Sequence, residues 1–279
     1  MTPSLKIAVC IPTYGDPEVM FMQSLLQMTK HFYEAKLTDA DGNLYDKELE
    51  YFIVSSSMLT ESRHRLVAEA LNWGADYMLW CDADHTFLPD ALCRLWARNV
   101  QVVGANYARR CKPTAPTAAK IVTNDEGEDH KNLVYTTMEK AYDNVLEEVS
   151  HLGFGLCLIR MDVFDQLQLK AEQDGLDTFL PLFMFTPTDN YKGMIGEDVY
   201  FFKKLKDAGV KIYCDHGVSW HVGHIMKTQV TNAHAVVQEE GWLKQTEKMR
   251  NKYKERIEKL EAGEDLPALK AEEVDGVDG

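Results

Sequence analysis

Two carboxylates follow directly on an apolar run in the first third of the chain. Residues 77–84 read Tyr-Met-Leu-Trp-Cys-Asp-Ala-Asp, which predicts a buried strand ending at Asp82 and Asp84. Side chains two residues apart on extended backbone point the same way, so both carboxylates could reach one hard divalent cation. A solvated Asp-rich turn is the alternative interpretation. The end of a strand favours the binding site, because open α/β sheets bind their ligands there.

The elements that would position this pair alternate between strands and helices. Apolar runs predict strands over residues 6–11, 51–54, 76–81, 101–107 and 210–214. Helical spacing of apolar residues predicts helices over 17–36, 60–73, 89–99, 161–169 and 196–208, the last closed by Gly209. The polar stretch 124–132 lies between two short strand-like pieces and suggests a hairpin. This order predicts an α/β fold with a mostly parallel central sheet flanked by helices.

The C-terminal part has a different composition. An apolar stripe on a charged background predicts an amphipathic helical extension over residues 229–262, which either docks on the domain or pairs in a homodimer. Residues 263–279 are acidic and punctuated by glycine, so we expect a disordered tail. The preceding 228 residues form the predicted catalytic domain.

Charge and composition argue against several classes of protein, although a local basic groove stays open. The formal net charge is −14, and no broad basic surface of the kind that binds nucleic acid is apparent. The sequence contains neither an apolar stretch long enough for a membrane helix nor an N-terminal secretion signal, so we expect a cytoplasmic protein without a transmembrane segment. The six cysteines show no metal-binding spacing and are predicted to be reduced core thiols.

Seven short motifs in a fixed order resemble the GT-A-fold glycosyltransferases of the broad family-2-like type, which include short stand-alone bacterial and phage enzymes. They are Ile-Pro-Thr-Tyr (11–14), Ser-Arg-His-Arg (62–65), Asp-Ala-Asp (82–84), Val-Gly-Ala-Asn-Tyr with two arginines (103–110), Gly-Phe-Gly (153–155), Gly-Glu-Asp (196–198) and Trp-His-Val-Gly (220–223). The resemblance spans residues 5–225. It implies a GT-A, Rossmann-like fold and an enzyme that transfers a sugar from a nucleotide-sugar donor to an acceptor hydroxyl.

The resemblance also implies the residues that bind the donor, which would be a UDP- or GDP-sugar. The loop after the first strand would frame the nucleoside, and Arg63 would reach the base or phosphates, with a surface salt bridge as the alternative. Arg109 and Arg110 would contact the diphosphate or an anionic acceptor, or would be solvated loop arginines. Gly153 and Gly155 would let the backbone approach the sugar, or would mark a bulge. The implied nucleotide-sugar-binding residues are Pro12, Thr13, Tyr14, Gly15, Arg63, Asp82, Ala83, Asp84, Arg109, Gly153 and Gly155.

A divalent cation, Mn²⁺ or Mg²⁺, is the implied cofactor. Asp82 and Asp84 would hold it against the diphosphate, with Asp84 the first candidate for direct ligation, and His221 would complete the ligand set. His216 and His224 compete with His221 for this role. A histidine that serves only the structure is the alternative for each of them.

Asp198 is the implied base that would deprotonate the acceptor hydroxyl in an inverting transfer, with Glu197 as the alternative. Both carboxylates begin a predicted helix, where the helix dipole would favour them for stability alone.

Two other functions remain open from the sequence. A sugar-nucleotide pyrophosphorylase would share the architecture, but such enzymes open with a Gly-rich loop bearing Arg and Lys, which does not follow Ile11. A binding module without turnover is the second alternative. The acceptor is left open among a glycan, a lipid-linked sugar, a protein, a small metabolite and a modified base of phage DNA.

Overall fold

The computed structural model describes residues 3–111, 113–123, 129–188 and 193–227, together with six single residues between 247 and 259. The strands are β1 Ser4–Thr13, β2 Asp46–Ser55, β3 Tyr77–Cys81, β4 His85–Thr86, β5 Val102–Gly104, β6 Ala119–Thr123, β7 Asp129–Leu133, β8 Leu146–Val149, β9 Leu156–Arg160, β10 Thr186–Pro187, β11 Met194–Ile195, β12 Ile212–Asp215 and β13 Gly223–His224. The helices are α1 Val19–Glu34, α2 Leu59–Trp73, α3 Ala91–Ala97, α4 Met138–Tyr142, α5 Asp162–Gln173, α6 Glu197–Asp207 and α7 His216–Ser219.

A seven-stranded sheet with the order β2-β1-β3-β9-β5-β12-β8 forms the centre. Strands β1, β2, β3, β5 and β12 run in one direction, whereas β9 and β8 run against their neighbours. The predicted α/β class with a mostly parallel central sheet flanked by helices is therefore confirmed, and it is consistent with the GT-A, Rossmann-like fold that the resemblance implies.

Helices cover both faces of this sheet because the strand residues alternate between two cores. In β1, Ala8 and Cys10 join one core, to which α2, α5 and α6 contribute. Ile7, Val9 and Ile11 point to the opposite core, which α1 and α3 cover. Both faces of the central strands are thus apolar, which explains why their sequences read as continuous apolar runs.

The carboxyl ends of β1 and β3 lie next to each other at one edge of the sheet, because the two strands are parallel partners. A two-stranded pairing of β4 with β13 forms at that edge, directly after Asp84. Strands β6 and β7 pair as an antiparallel hairpin, as the sequence suggests for this region. The predicted cysteine environment is confirmed for Cys10, Cys81, Cys157 and Cys214, whereas Cys111 is exposed.

The chain divides into two compact units, Met1–Met226 and Lys227–Gly279. The predicted helical extension, its homodimer and the acidic tail fall on residues that lie almost wholly outside those described. Within the described part of the chain, no helix has the length and apolar character needed to cross a membrane.

Candidate active site

The end of β3 is fixed from two sides. Strand β3 is mostly buried and pairs with β1 on one side and β9 on the other, so both neighbours fix the position at which the strand ends. Beyond the strand, the Ala83 carbonyl accepts a 3.0 Å hydrogen bond from the Glu18 N–H, and the Asp82 N–H donates to the Gly155 carbonyl at 3.3 Å. The loop that carries Asp82, Ala83 and Asp84 is thereby tied to the start of α1 and to the segment before β9.

Asp84 is the centre of a cluster with His85 and His224. His85 Nδ1 lies 2.9 Å from Asp84 Oδ1, and His224 Nε2 lies 3.5 Å from Asp84 Oδ2. The two imidazole rings stack with their centroids 4.2 Å apart. One ligand atom from each of the three residues falls within 4.8 Å of the others.

Backbone pairing brings His224 to this position across 139 residues of chain. His224 is the register partner of His85 in the β4–β13 pairing, and the Ile225 N–H donates to the Asp84 carbonyl at 2.9 Å. The Ala108 carbonyl lies 3.0 Å from His224 Nδ1. A carbonyl can only accept, so Nδ1 carries a proton and Nε2 is left facing Asp84.

The two other candidate histidines lie elsewhere. His221 is exposed and does not join the cluster. His216 is fully buried and lies 2.9 Å from Glu147 and 2.9 Å from the Thr136 hydroxyl, which are contacts of a structural residue. Sequence reasoning missed His85 altogether, although it directly follows the acidic pair, and it ranked His221 above His224.

The Asp84 cluster has the donor chemistry of a transition-metal site. One carboxylate and two imidazoles suit Mn²⁺, whereas Mg²⁺ prefers oxygen ligands throughout. Both ring nitrogens of His85 are buried, and neither makes a well-aligned hydrogen bond with another described residue. A buried imidazole without such a bond is costly unless a ligand binds it. Among the described residues, these three could hold the cation that the sequence predicts.

Arg110 occupies one side of Asp84. Its Nη1 lies 2.8 Å from Asp84 Oδ2, and its side chain is about half exposed. Burial by itself raises the pKa of Asp84, but contacts with His224 and His85 and the charge of Arg110 outweigh it and hold the pKa well below the ordinary value. Asp84 is therefore an anion at neutral pH.

Arg63 organises a second group of charges beside the first. It is buried on α2, with its guanidinium 4.5 Å from the Phe154 ring and 5.2 Å from the Trp80 ring. Its Nη2 lies 3.2 Å from Asp82 Oδ1, and its Nε lies 3.4 Å from Glu197 Oε1. Asp82 thus contacts Arg63 and does not join Asp84 in the cation cluster.

Asp198, which follows Glu197, has a raised pKa. Burial is the main cause and the neighbouring charge of Glu197 the second, and together they raise its pKa to about 6. Its Oδ1 accepts a 2.7 Å hydrogen bond from the Val199 N–H at the start of α6. A carboxyl that ionises near neutral pH has the property expected of a general base. Glu197, in contrast, is the buried partner of Arg63.

The glycines of the Gly-Phe-Gly motif make room for Tyr107 and His85. A Cβ on Gly153 would lie 2.1 Å from the Tyr107 hydroxyl, and one on Gly155 would lie 2.5 Å from His85 Nε2. The Tyr107 hydroxyl also accepts a 3.2 Å hydrogen bond from the Gly155 N–H. Through these contacts Tyr107 links the Asp84 cluster to the Arg63 group. Burial is the main cause of the raised pKa of Tyr107, and the negative charges of Asp82 and Asp198 raise that pKa further.

The loop after β1 lies on the same edge of the sheet. Pro12 and Thr13 still pair with β2, and the Thr13 hydroxyl accepts a 3.2 Å hydrogen bond from the Gly15 N–H. Tyr14 is 84% exposed, so its ring is free for contact with a planar ligand. Arg109 is exposed and contributes positive charge near Lys131 and His151.

Comparison with known proteins gives distant likenesses. No family model and no curated protein matches the chain. Among solved structures, A197 from STIV aligns with a TM-score of 0.49 and 15% identity, over 80% of this chain and 86% of that one. GalNAc-T7, solved with UDP, GalNAc and Mn²⁺, aligns with a TM-score of 0.46 and 13% identity, over 81% of this chain and 45% of its own. Neither likeness identifies site residues in this chain.

Proposed function

We propose that this chain is a divalent-cation-dependent glycosyltransferase that takes a sugar from a nucleotide-sugar donor and transfers it, with inversion, to an acceptor hydroxyl. The observation that carries the proposal is the closeness of two features that Arg63 connects, since its guanidinium lies 3.2 Å from Asp82 and 3.4 Å from Glu197. One is the Asp84, His85 and His224 cluster, which can bind a cation, and the other is Asp198, with a pKa of about 6. Such a pair of features serves a substrate whose leaving group is a diphosphate.

The donor would lie along the edge formed by β1 and β3. Tyr14 would stack on the base, in the loop that also contains Pro12, Thr13 and Gly15. Arg110 is about half exposed, so it can leave Asp84 for the diphosphate when a cation takes its place. A cation bound at the cluster would neutralise the charge that grows on the diphosphate as the glycosidic bond breaks.

Asp198 would perform the proton transfer. The acceptor oxygen forms a bond to the anomeric carbon of the donor, and the bond from that carbon to the diphosphate oxygen breaks. The electron pair of the broken bond leaves with the nucleoside diphosphate, and the acceptor proton moves to the Asp198 carboxylate. Attack from the side opposite the leaving group gives inversion. Glu197 would position Arg63 and Asp82, because the guanidinium lies between the two carboxylates.

A binding module without turnover is the second candidate, and one contact favours it. Arg110 Nη1 lies 2.8 Å from Asp84 Oδ2 and offsets its negative charge. The arginine could therefore stay at Asp84, and the site could bind a diphosphate without a cation. A pyrophosphorylase has less support, since Asp198 then has no evident role.

Nucleotide release separates the candidates. The protein is incubated with a panel of UDP-, GDP- and CMP-sugars and Mn²⁺, with and without excess EDTA and with and without added pyrophosphate, and the released nucleotides are identified. We expect release of nucleoside diphosphate from one donor, with water as the acceptor of the sugar, abolished by EDTA and restored by Mn²⁺. Formation of nucleoside triphosphate and sugar 1-phosphate only when pyrophosphate is added would support the pyrophosphorylase, and nucleotide binding without release would support the binding module. Turnover that is undiminished in EDTA would contradict cation dependence.

A further inference from the structure

A cavity of about 390 Å³ opens beside the candidate active site. It is formed by the end of α7, the segment after β7 and the loop after β5. Its lining includes Tyr107, Thr114, Pro116, Tyr135, Ser219 and Trp220. The volume lies within the range of small-ligand sites, which is roughly 300–1,000 Å³.

The lining of this cavity is uncharged and rich in aromatic surface. Every described residue that lines it is apolar, aromatic, or carries a hydroxyl or amide. The Tyr135 side chain is 58% exposed and Trp220 is 49% exposed, although both are large rings. Among the described residues, neither the Tyr135 hydroxyl nor the Trp220 indole N–H has a hydrogen-bond partner. Two rings therefore offer apolar faces together with free polar groups.

The cavity adjoins the residues that would perform the chemistry. Tyr107, in its wall, lies with its ring 4.3 Å from that of His85 and 5.5 Å from that of His224. Ala108, also in the wall, contacts His224 through its carbonyl at 3.0 Å. A ligand in the cavity would thus lie next to the proposed cation cluster.

We propose that this cavity holds the acceptor, and that the acceptor is an uncharged carbohydrate whose ring stacks on Trp220 or Tyr135. A pyranose presents apolar C–H faces to aromatic rings and hydroxyls around its edge, which matches exposed rings with unpartnered polar groups and neighbouring hydroxyls. The inference rests on the proposed function, because it assigns the acceptor of that same reaction.

Other acceptors fit this lining less well. A phosphate-bearing acceptor, including DNA, would need cations, and none of the described lining residues supplies one. A lipid chain would leave the free hydroxyl and indole N–H without partners. A nucleobase could stack on Trp220, so the experiment includes an arm for it.

The test measures saccharide and nucleotide binding separately. Saturation-transfer NMR with the full chain, UDP or GDP and Mn²⁺ screens neutral monosaccharides and their methyl glycosides, while calorimetry measures affinity for the nucleotide. Trp220→Ala and Tyr135→Ala remove the two rings, and Trp220→Phe keeps an aromatic face. Tyr142→Ala is the matched control, because Tyr142 is 86% exposed and does not line the cavity. Melting curves establish that each variant folds.

We expect one saccharide class to bind the wild type and the Tyr142→Ala variant equally, and to bind Trp220→Ala at least about tenfold more weakly, with Trp220→Phe in between. Nucleotide affinity should be the same in the wild type and in all four variants. The acceptor inference is overturned if no saccharide binds while the nucleotide does, or if Trp220→Ala loses nucleotide affinity, which would assign the cavity to the base. Saccharide binding without any nucleotide binding would support the cavity and contradict the proposed glycosyltransferase.

Discussion

Asp198 and Glu197 are adjacent carboxylates with different surroundings. Glu197 is paired with the buried Arg63, whereas burial and the charge of Glu197 act on Asp198 in the same direction and raise its pKa to about 6. A carboxyl whose environment raises its pKa towards neutrality is suited to proton transfer in many active sites. The sequence predicts Asp198 as the base by its position, and the raised pKa gives a physical reason for that choice.

Replacing Asp198 with Asn should reduce kcat by roughly 10²–10⁴ with little change in nucleotide affinity, because the amide cannot accept the acceptor proton. In the wild type, kcat should rise with pH through about 6, as Asp198 becomes ionised, and then level off. The measurement is the steady-state rate of transfer from pH 4.5 to 8.5. Nucleotide affinity is determined at each pH, so that loss of the bound cation can be distinguished from protonation of Asp198. Glu197→Gln is the comparison. If Asp198→Asn transfers sugar at the wild-type rate, Asp198 is not the base. If Glu197→Gln is then inactive, Glu197 is the base instead.

The same substitution should stabilise the protein at neutral pH. The pKa of Asp198 is raised from 3.8 to about 6, so its ionised form destabilises the native state. At about 1.36 kcal/mol per pKa unit, reduced because Asp198 is partly exposed, the expected gain in the free energy of unfolding is about 1–3 kcal/mol. Denaturant unfolding should show this gain for Asp198→Asn at pH 7.5. The gain should shrink as the pH falls from about 6 to 4, where the carboxyl becomes protonated in both states. A variant less stable than the wild type at pH 7.5 would contradict this account.

At the scale of elements, several strands and helices around the site could be predicted, because β1, β3, α2 and α6 have strong apolar patterns. The β4–β13 pairing could not. It involves only two residues on each strand, which gives no periodicity, and it joins positions 139 residues apart. The sequence predicts Asp84 as a ligand and offers His224 only as a competitor of His221, whereas the β4–β13 pairing places His224, and with it His85, beside Asp84. Arg63 was predicted as a donor-binding residue, and its position between Asp82 and Glu197 depends on tertiary packing.

The segment before β9 should tolerate no side chain at Gly155. A Cβ there would lie 2.5 Å from His85 Nε2 and 2.6 Å from the Tyr107 ring, and both side chains are buried, so these rings or the backbone must shift and disturb the cluster. We expect Gly155→Ala to lower the free energy of unfolding by about 1–3 kcal/mol and to weaken Mn²⁺-dependent nucleotide binding.

Gly193→Ala is the matched control for that change, because a Cβ at Gly193 would meet its nearest atom at an ordinary 3.7 Å. Calorimetry and melting curves compare the two variants. Equal nucleotide affinity in Gly155→Ala and the wild type would show that the geometry around His85 is not needed for the site.

For the whole molecule, the residues that carry the proposed chemistry all lie within Met1–Met226. The tail that follows is acidic, and residues 264–279 hold six acidic residues and one lysine. Deleting these residues should leave kcat and KM within about twofold of the wild type, because their charged, Gly-punctuated composition predicts a segment without a packed core. Steady-state kinetics of the truncated chain test this. Loss of transfer with an unchanged melting temperature would instead assign the tail to the acceptor site.

The identity of the cation ligands tests the account most directly. Pulsed electron paramagnetic resonance of the full chain with Mn²⁺ detects nitrogen ligands, and added UDP or GDP reports phosphorus near the ion. We expect ¹⁴N couplings from two imidazoles and a ³¹P coupling with nucleotide. His224→Ala should remove one imidazole and weaken Mn²⁺ affinity by at least roughly 10–100-fold, while His221→Ala should change neither. Manganese without nitrogen ligands, or a spectrum that changes in His221→Ala and not in His224→Ala, would contradict the cluster of Asp84, His85 and His224.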